Sequence, residues 1–196
     1  EKSEEEGFYM PVQRVCRPDH TFRGFQGQIE SGVVSVGDDI ITLPSGESAK
    51  VKSILVGDKD SQSAQEGQPV TIQLDKEVDV SRGCVLSSGT TLPVSKSLTA
   101  TILWMDDAEL TVGKDYIVKI GTKQVLGVLK NIQYKIDVNT GNFLPANGLS
   151  KNEIAVCDIG LQEAVVIDEF AKHKTLGELI LIDRISNMTS ACGVIT

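Results

Sequence analysis

The fold is decided by one short stretch of the chain, Val33-Val34-Ser35-Val36-Gly37-Asp38-Asp39-Ile40. Its β-branched side chains crowd a helix but suit a pleated strand. Gly37-Asp38 is typical of a turn between two strands. Similar short apolar runs, separated by Gly, Asp, Ser and Pro, continue in both directions, and no apolar period of 3.6 residues persists. Short strands at this spacing predict an all-β barrel or sandwich.

Working outward from this stretch, we predict strands on both sides of one interruption. Residues 86–93 are small and polar and are marked by Gly89 and Pro93, which indicates a domain boundary. Residues 138–150 are interpreted as a long loop. Before the boundary the predicted strands are 8–15, 27–34, 39–43, 49–55 and 70–74. After it they are 98–104, 116–120, 124–136, 153–159, 163–167, 178–185 and 192–195.

These strands predict two consecutive antiparallel β-barrels. Residues 1–6 form a linker or tail, residues 7–90 the first barrel and residues 91–196 the second. Closing each sheet into a barrel removes the exposed strand edges that otherwise invite aggregation. The fold class is therefore all-β.

Composition limits the classes of function. Apolar residues make up 40% of the chain and charged residues 23%, so the chain can bury a core. A formal net charge of -8 argues against a dedicated nucleic-acid binder. No run approaches the roughly 18 apolar residues that span a bilayer, and the acidic start does not resemble a signal peptide. We expect a cytoplasmic protein without a membrane partner.

The cysteines indicate a reducing compartment. No two of them form a C-x-x-C pair, and a disulfide framework is unusual in a chain of this size. We predict free thiols that are mostly buried or half-buried. They are Cys16, Cys84, Cys157 and Cys192.

Motifs for catalysis are absent from the sequence. It contains no G-x-x-x-x-G-K-[ST] phosphate loop, no G-x-G-x-x-G and no G-x-S-x-G. The two histidines, His20 and His173, have no neighbour at metal-ligand spacing. Asp106-Asp107 with Glu109 could supply paired carboxylates, but a solvated turn after a buried strand is favoured. We therefore predict no catalytic, cofactor-binding or metal-binding residue.

Basic residues near the first turn form the one candidate contact surface. A guanidinium group binds a phosphate or a carboxylate with two parallel hydrogen bonds, and an ion pair with Asp19 is an equally good interpretation. Arg, aromatic and Gly residues together are typical of protein interfaces. The candidate partner contact consists of Arg17, His20, Arg23 and Phe25.

Several segments resemble a known family in the same order. They include Val12-Gln13-Arg14-Val15-Cys16-Arg17-Pro18, Ile29-Glu30-Ser31-Gly32-Val33-Val34, Ala100-Thr101-Ile102-Leu103-Trp104-Met105-Asp106 and Ile180-Leu181-Ile182-Asp183-Arg184-Ile185-Ser186-Asn187-Met188-Thr189. From Phe8 onward the chain resembles the GTPase-bearing large subunit of bacterial ATP sulfurylase (sulfate adenylyltransferase subunit 1), within the translation-factor GTPase superfamily. It departs from the family pattern at Cys84, where Asp is common, and over residues 176–179.

The resemblance implies both a fold and a function. The two barrels would be elongation-factor-like domains 2 and 3. In the family, a catalytic small subunit makes adenosine 5′-phosphosulfate from ATP and sulfate, and GTP hydrolysis by the large subunit drives this step. GTP and Mg²⁺ are expected on a GTPase domain upstream of Glu1, so this chain alone would be non-catalytic and would couple that domain to the small subunit of a heterodimer. The alternative is a pair of RNA-binding barrels from a translation elongation factor-like GTPase.

Overall fold

The computed structural model describes residues 7–17 and 23–196, which contain nineteen strands and one helical turn. In chain order the elements are β1 Phe8–Pro11, β2 Arg14–Cys16, β3 Gly24–Gln28, β4 Val33–Ser35, β5 Asp39–Leu43, β6 Ser48–Val56, β7 Lys59–Ser61, β8 Ser63–Gln65, β9 Pro69–Leu74, β10 Val85–Ser88, β11 Val94–Trp104, β12 Leu110–Thr111, β13 Asp115–Ile120, β14 Lys123–Ile136, β15 Phe143–Leu144, β16 Gly148–Leu149, β17 Ile154–Val166, α1 Lys174–Gly177, β18 Glu178–Ile182 and β19 Thr189–Ile195. The chain divides into two compact units between Leu92 and Pro93, close to the predicted boundary.

The first unit is a barrel with an incomplete seam. Its strands are hydrogen-bonded in the order β1-β10-β5-β6-β9-β3-β2, and β7 extends β6. The ring is completed by one isolated bridge between Tyr9 and Ser31, in which the Tyr9 N–H donates to the Ser31 carbonyl at 3.3 Å. The side chains of Met10, Ile40 and Ile72 are fully buried inside this ring.

Two strands predicted in the first barrel are broken. The strand predicted over 27–34 is wrong in its middle, because β3 ends at Gln28 and β4 begins only at Val33. Between them Gly32 has φ +73°, and a Cβ there would lie 2.6 Å from the backbone nitrogen of Phe8. The strand predicted over 8–15 is likewise interrupted, between β1 and β2. Backbone geometry at the seam therefore overrides the apolar pattern.

The segment 86–93, interpreted as a domain boundary, begins inside a strand that the sequence analysis does not predict. Its first residues belong to β10, which lies between β1 and β5 in the sheet. Leu86 is completely buried, and the Ser87 hydroxyl donates to the Ile41 carbonyl at 3.1 Å. The polar residues misled the sequence interpretation because serine is tolerated inside a sheet once its hydroxyl has a partner.

The second unit is a closed barrel. Six strands form a continuous ring in the order β13-β18-β19-β11-β17-β14, and β14 pairs again with β13. The three longest strands, β11, β14 and β17, have 11, 14 and 13 residues. The strands predicted over 153–159 and 163–167 are one continuous strand, β17. The predicted loop over 138–150 contains the short strands β15 and β16.

Alternating burial explains why the second barrel forms. In β11 the side chains of Leu98, Ala100, Ile102 and Trp104 point inward, separated by half-buried residues. Trp104 contacts Tyr116 edge-to-face at 5.9 Å between ring centroids, and its indole N–H donates to the Ala108 carbonyl at 2.8 Å. The prediction of an all-β chain with two antiparallel barrels is confirmed. No helix among residues 7–17 and 23–196 is long and apolar enough to cross a membrane.

Candidate partner-contact site and neighbouring polar clusters

Arg23 links two parts of the first barrel. It lies directly before β3, and its guanidinium group donates to the carbonyls of Val78 and Val80 at 3.3 and 3.2 Å. The group lies 6.0 Å from the ring centroid of Phe25 and 3.7 Å from the carboxylate of Glu77. Because Glu77 is largely exposed, this ion pair contributes little stability. The main effect of Arg23 is to hold the β9–β10 loop against β3.

The predicted contact residues have different positions in the structure. Phe25 packs in the core of the first barrel and is 2% exposed, whereas Arg17 is exposed after β2. Arg23 is half-buried and lies over Phe25, so the structure brings these two residues together. His20 lies outside the described residues. A partner contact through this region stays a prediction.

A small cavity of about 170 Å³ lies beside Arg23. Its lining includes two cations, Arg23 and Lys76, and two carboxylates, Asp75 and Glu77. The Asp75 carboxylate also accepts a hydrogen bond from the Lys50 backbone N–H at 2.9 Å. The formal charges of the lining balance, so the cavity lacks the excess of cations that attracts a free phosphate.

The carboxylates of Asp106 and Asp107 do not act as a pair. Asp106 accepts from the Ser190 hydroxyl at 2.8 Å and from the Ala108 N–H at 3.1 Å, and these bonds hold the pKa of its carboxyl below the usual value. Asp107 is exposed and pairs with Lys151 at 3.0 Å. Within the described ranges, no three His, Cys, Asp or Glu side chains could hold a metal ion together. The geometry agrees with the interpretation of a solvated turn.

Asp183 forms a cluster that the sequence analysis did not identify. Its carboxylate accepts from the backbone N–H groups of Ser186 and Ile185 at 2.9 and 2.8 Å, and pairs with Lys114 at 3.0 Å. The Ser186 N–H, Lys114 and the Ile185 N–H together hold the pKa of Asp183 far below its usual range. An Asp that begins a polar turn is a recognisable signal. The pairing of Lys114 with Asp183 could not be predicted from the sequence, because the two residues are 69 positions apart.

Asp158 forms a second such cluster, on the outside of the second barrel. It accepts from the Thr99 hydroxyl at 2.8 Å, from the Gln133 amide at 2.8 Å and from the Asn131 amide at 3.3 Å. The hydrogen bond from Thr99 is the largest cause that lowers the pKa of Asp158. Two register shifts in the β14–β17 pairing lie beside Asn131 and Gln133. Such bulges re-aim side chains, and sequence alone does not reveal them.

The remaining candidate nucleophiles and bases are buried or half-buried. His173 contacts Asp168 at 2.7 Å, and both side chains are about nine-tenths buried (12% and 10% exposed). Burial, with a smaller contribution from the Asp158 charge, raises the pKa of the Cys157 thiol to about 12. Cys84 and Cys157 are buried and Cys16 and Cys192 half-buried, all as free thiols, as predicted. A buried thiol with a raised pKa is inert as a nucleophile.

The closed barrel of the second unit corresponds to a known family of domains. Residues 97–196 match the family described as GTP-eEF1A C-terminal domain-like, and the chain belongs to this family. Among curated relatives it is 41% identical over 189 residues to sulfate adenylyltransferase subunit 1 of Francisella tularensis subsp. novicida (strain U112), covering 96% of this chain and 40% of that protein. It is 42% identical over 188 residues to the protein of the same name from Teredinibacter turnerae (strain ATCC 39867 / T7901), covering 95% and 40%. The chain thus spans about two fifths of these relatives.

Solved structures show the same fold. The crystal structure of sup35 complexed with GDP superposes with a TM-score of 0.89 at 21% identity, covering 98% of this chain and 47% of that chain. The apo form of translation elongation factor SelB from Methanococcus maripaludis gives a TM-score of 0.73 at 23% identity, covering 97% and 43%. The elongation-factor-like character predicted for the barrels is therefore confirmed as a likeness of fold.

The residues of this chain do not fit a GTP–Mg²⁺ site. The sequence has no phosphate loop. The part of the chain that the structure describes contains no acidic cluster suited to a metal ion. GTP and Mg²⁺ on a separate domain stay a prediction.

Proposed function

We propose that this chain is the two-barrel part of a GTPase-bearing sulfate adenylyltransferase subunit that acts in sulfate assimilation. The observation that carries the proposal is the identity of 41% over 96% of the chain to a protein of that name. Translation factors with the same fold reach only 21–23% identity. The proposal includes a cytoplasmic location and a heterodimer with a catalytic small subunit.

In this proposal the chain is a coupling scaffold and not a catalyst. The small subunit forms adenosine 5′-phosphosulfate from ATP and sulfate, and a GTPase domain of the large subunit drives the step. Two features of the described residues support this: the thiols are buried or half-buried, and the carboxylates of Asp106 and Asp158 are held in hydrogen bonds to hydroxyl groups, unlike an activated nucleophile with its base. A closed barrel is stiff, so it transmits a displacement at one surface as rigid-body motion at another.

Binding to the small subunit tests this proposal and the predicted contact together. We expect saturable binding of this chain to the purified small subunit from the same source. Arg17→Glu reverses an exposed charge at the predicted contact and should weaken binding about tenfold or more. Lys59→Glu makes the same change on β7 of the same barrel and should leave binding unchanged. Absence of binding by the wild-type chain would show that the barrels do not contact the small subunit.

The fold favours a second candidate, RNA binding by a translation factor-like GTPase. The two solved structures named above, which share this fold, are of translation factors. The net charge of -8 opposes it, because phosphate neutralisation needs clustered cations. Filter binding of transfer RNA at several salt concentrations decides between the candidates. Tight binding that weakens steeply with salt would favour the RNA candidate.

A further inference from the structure

The short pairing between β12 and β16 begins at the only Asn-Gly dipeptide of the chain, Asn147-Gly148. Asn147 is exposed and lies in a bend directly before β16. None of the described residues hydrogen-bonds its side-chain amide. The amide carbon of this side chain can therefore rotate toward the backbone nitrogen of the next residue.

The fold requires glycine at position 148. A Cβ there would lie 2.8 Å from the Leu110 carbonyl oxygen and 2.9 Å from a carboxylate oxygen of Glu109. The Leu110 carbonyl belongs to the backbone of β12, so it cannot move aside without breaking the pairing. Because glycine has no side chain, nothing shields its backbone nitrogen from the Asn147 amide. The close approach of β12 to β16 thus places Asn147 before an unshielded nitrogen.

We propose that Asn147 is a site of spontaneous chemical modification. The Gly148 nitrogen attacks the side-chain amide carbon of Asn147, and a new N–C bond forms. The side-chain nitrogen leaves as ammonia, with the proton that the Gly148 N–H loses, and a cyclic succinimide remains. Water then opens the ring at either carbonyl and leaves an aspartate or an isoaspartate. Asparagine is among the thermolabile residues of proteins.

The products disturb the pairing of β16 with β12. This pairing has two residue pairs, Leu110↔Leu149 and Thr111↔Gly148. Leu110 and Leu149 are 1% and 0% exposed and belong to the core of the second barrel. An isoaspartate inserts an extra carbon atom into the backbone just before this register, and either product adds a negative charge near Glu109, which lies against Gly148. Conversion of Asn147 is therefore a slow, one-way release of β16 from β12.

The rate of conversion at single asparagines tests the proposal. The chain is incubated at neutral and at mildly alkaline pH, the Asn-containing peptides are followed by mass spectrometry, and isoaspartate is labelled with isoaspartyl methyltransferase. Asn139, exposed between β14 and β15, is the internal control. We expect Asn147 to convert about tenfold or more faster, because the β-branched Thr140 crowds the attacking nitrogen after Asn139. The rate should rise with pH, since the attacking nitrogen must lose its proton.

A peptide of residues 143–151 separates the effect of the fold from that of the dipeptide. Because Asn147 is exposed and its amide is unpaired, its conversion in the folded chain should stay within about tenfold of that in the peptide. Slower conversion in the folded chain would show that β16 protects the site and would overturn the proposal. Conversion of Asn147 no faster than that of Asn139 would overturn it as well.

A matched variant tests the release of β16. Asn147→Gln keeps an uncharged amide on a longer side chain, which forms a cyclic product far more slowly. Fresh samples of the variant and the wild type should show the same hydrogen exchange. After ageing, amides 109–111 and 148–150 should exchange about threefold or more faster in the wild type and unchanged in the variant. Conversion of Asn147 without this difference would refute the release of β16.

Discussion

The two barrels reach closure by different means. The second barrel closes through a ladder of six residue pairs between β13 and β14, from Asp115↔Val128 to Ile120↔Lys123. The first barrel closes through one bridge, Tyr9↔Ser31, and several of its strands have three residues. A long ladder spreads the stability of a seam over many bonds, whereas among the described residues the seam at Tyr9 has only two backbone hydrogen bonds, with Glu30 and Ser31, and depends on local backbone geometry. Two barrels of similar size can therefore lose stability through substitutions at different places: the first at its short seam and the second in its core.

The largest effect is expected in the core of the second barrel. Trp104→Ala removes a side chain that is 1% exposed and contacts Tyr116, so it should lower the free energy of unfolding by about 3–5 kcal/mol. Hydrogen exchange should locate the loss in residues 93–196, because the two cores are separate clusters. Val138→Ala, on an exposed loop, should change stability by less than about 0.5 kcal/mol. Equal losses of hydrogen-exchange protection in both barrels would show that the two cores do not unfold independently.

The seam of the first barrel gives the next largest effect. Gly32→Ala places a Cβ 2.6 Å from the Phe8 backbone nitrogen at φ +73°, so it should cost about 2–3 kcal/mol in urea denaturation. Gly37→Ala is the matched control, since Gly37 has φ +92° but nothing within 4 Å of the added atom. The control should cost only about 1 kcal/mol, which is the conformational strain alone. A similar cost for both would mean that the seam tolerates the added methyl group.

The smallest expected effect is on the pH dependence of stability in the second barrel. Hydrogen bonds lower the pKa of four carboxyls in the second barrel, namely Asp106, Glu153, Asp158 and Asp183. A carboxyl whose pKa is lower in the folded protein stabilises the fold at pH values above its unfolded-state pKa of about 4. This contribution is lost as the pH falls through the folded-state pKa. Asp158→Asn should therefore cost about 1 kcal/mol at pH 7, and the difference from wild type should shrink below about pH 4. A difference that stays constant with pH would contradict this linkage.

Apolar alternation predicted most of the second barrel. In β11 the inward positions Leu98, Ile102 and Trp104 follow the period of two that a half-buried strand requires. In the first barrel the same reasoning failed at Gly32, where a left-handed residue breaks an apolar run, and at Ser87, where a polar residue is buried. Both failures arise because tertiary hydrogen bonds and backbone geometry override local pattern.

The candidate site was less predictable than the fold. Composition indicated that Arg23 and Phe25 belong together, and the structure places the guanidinium group over the ring. Burial of Phe25 could not be distinguished from exposure, since an aromatic residue suits a core as well as an interface. The partners of Asp158, at 25 to 59 residues in sequence, depend on strand register that no local pattern records.

The buried thiol of Cys157 is a built-in reporter of how often the second barrel opens. It lies in the core cluster, completely shielded from solvent, and its raised pKa leaves almost no thiolate at neutral pH. A thiol-labelling reagent can therefore modify this sulfur only when the strands around Cys157 open. Because Cys192 in the same barrel is a half-buried free thiol, labelling has to be followed at Cys157 separately, and its rate then reports those openings without any substitution.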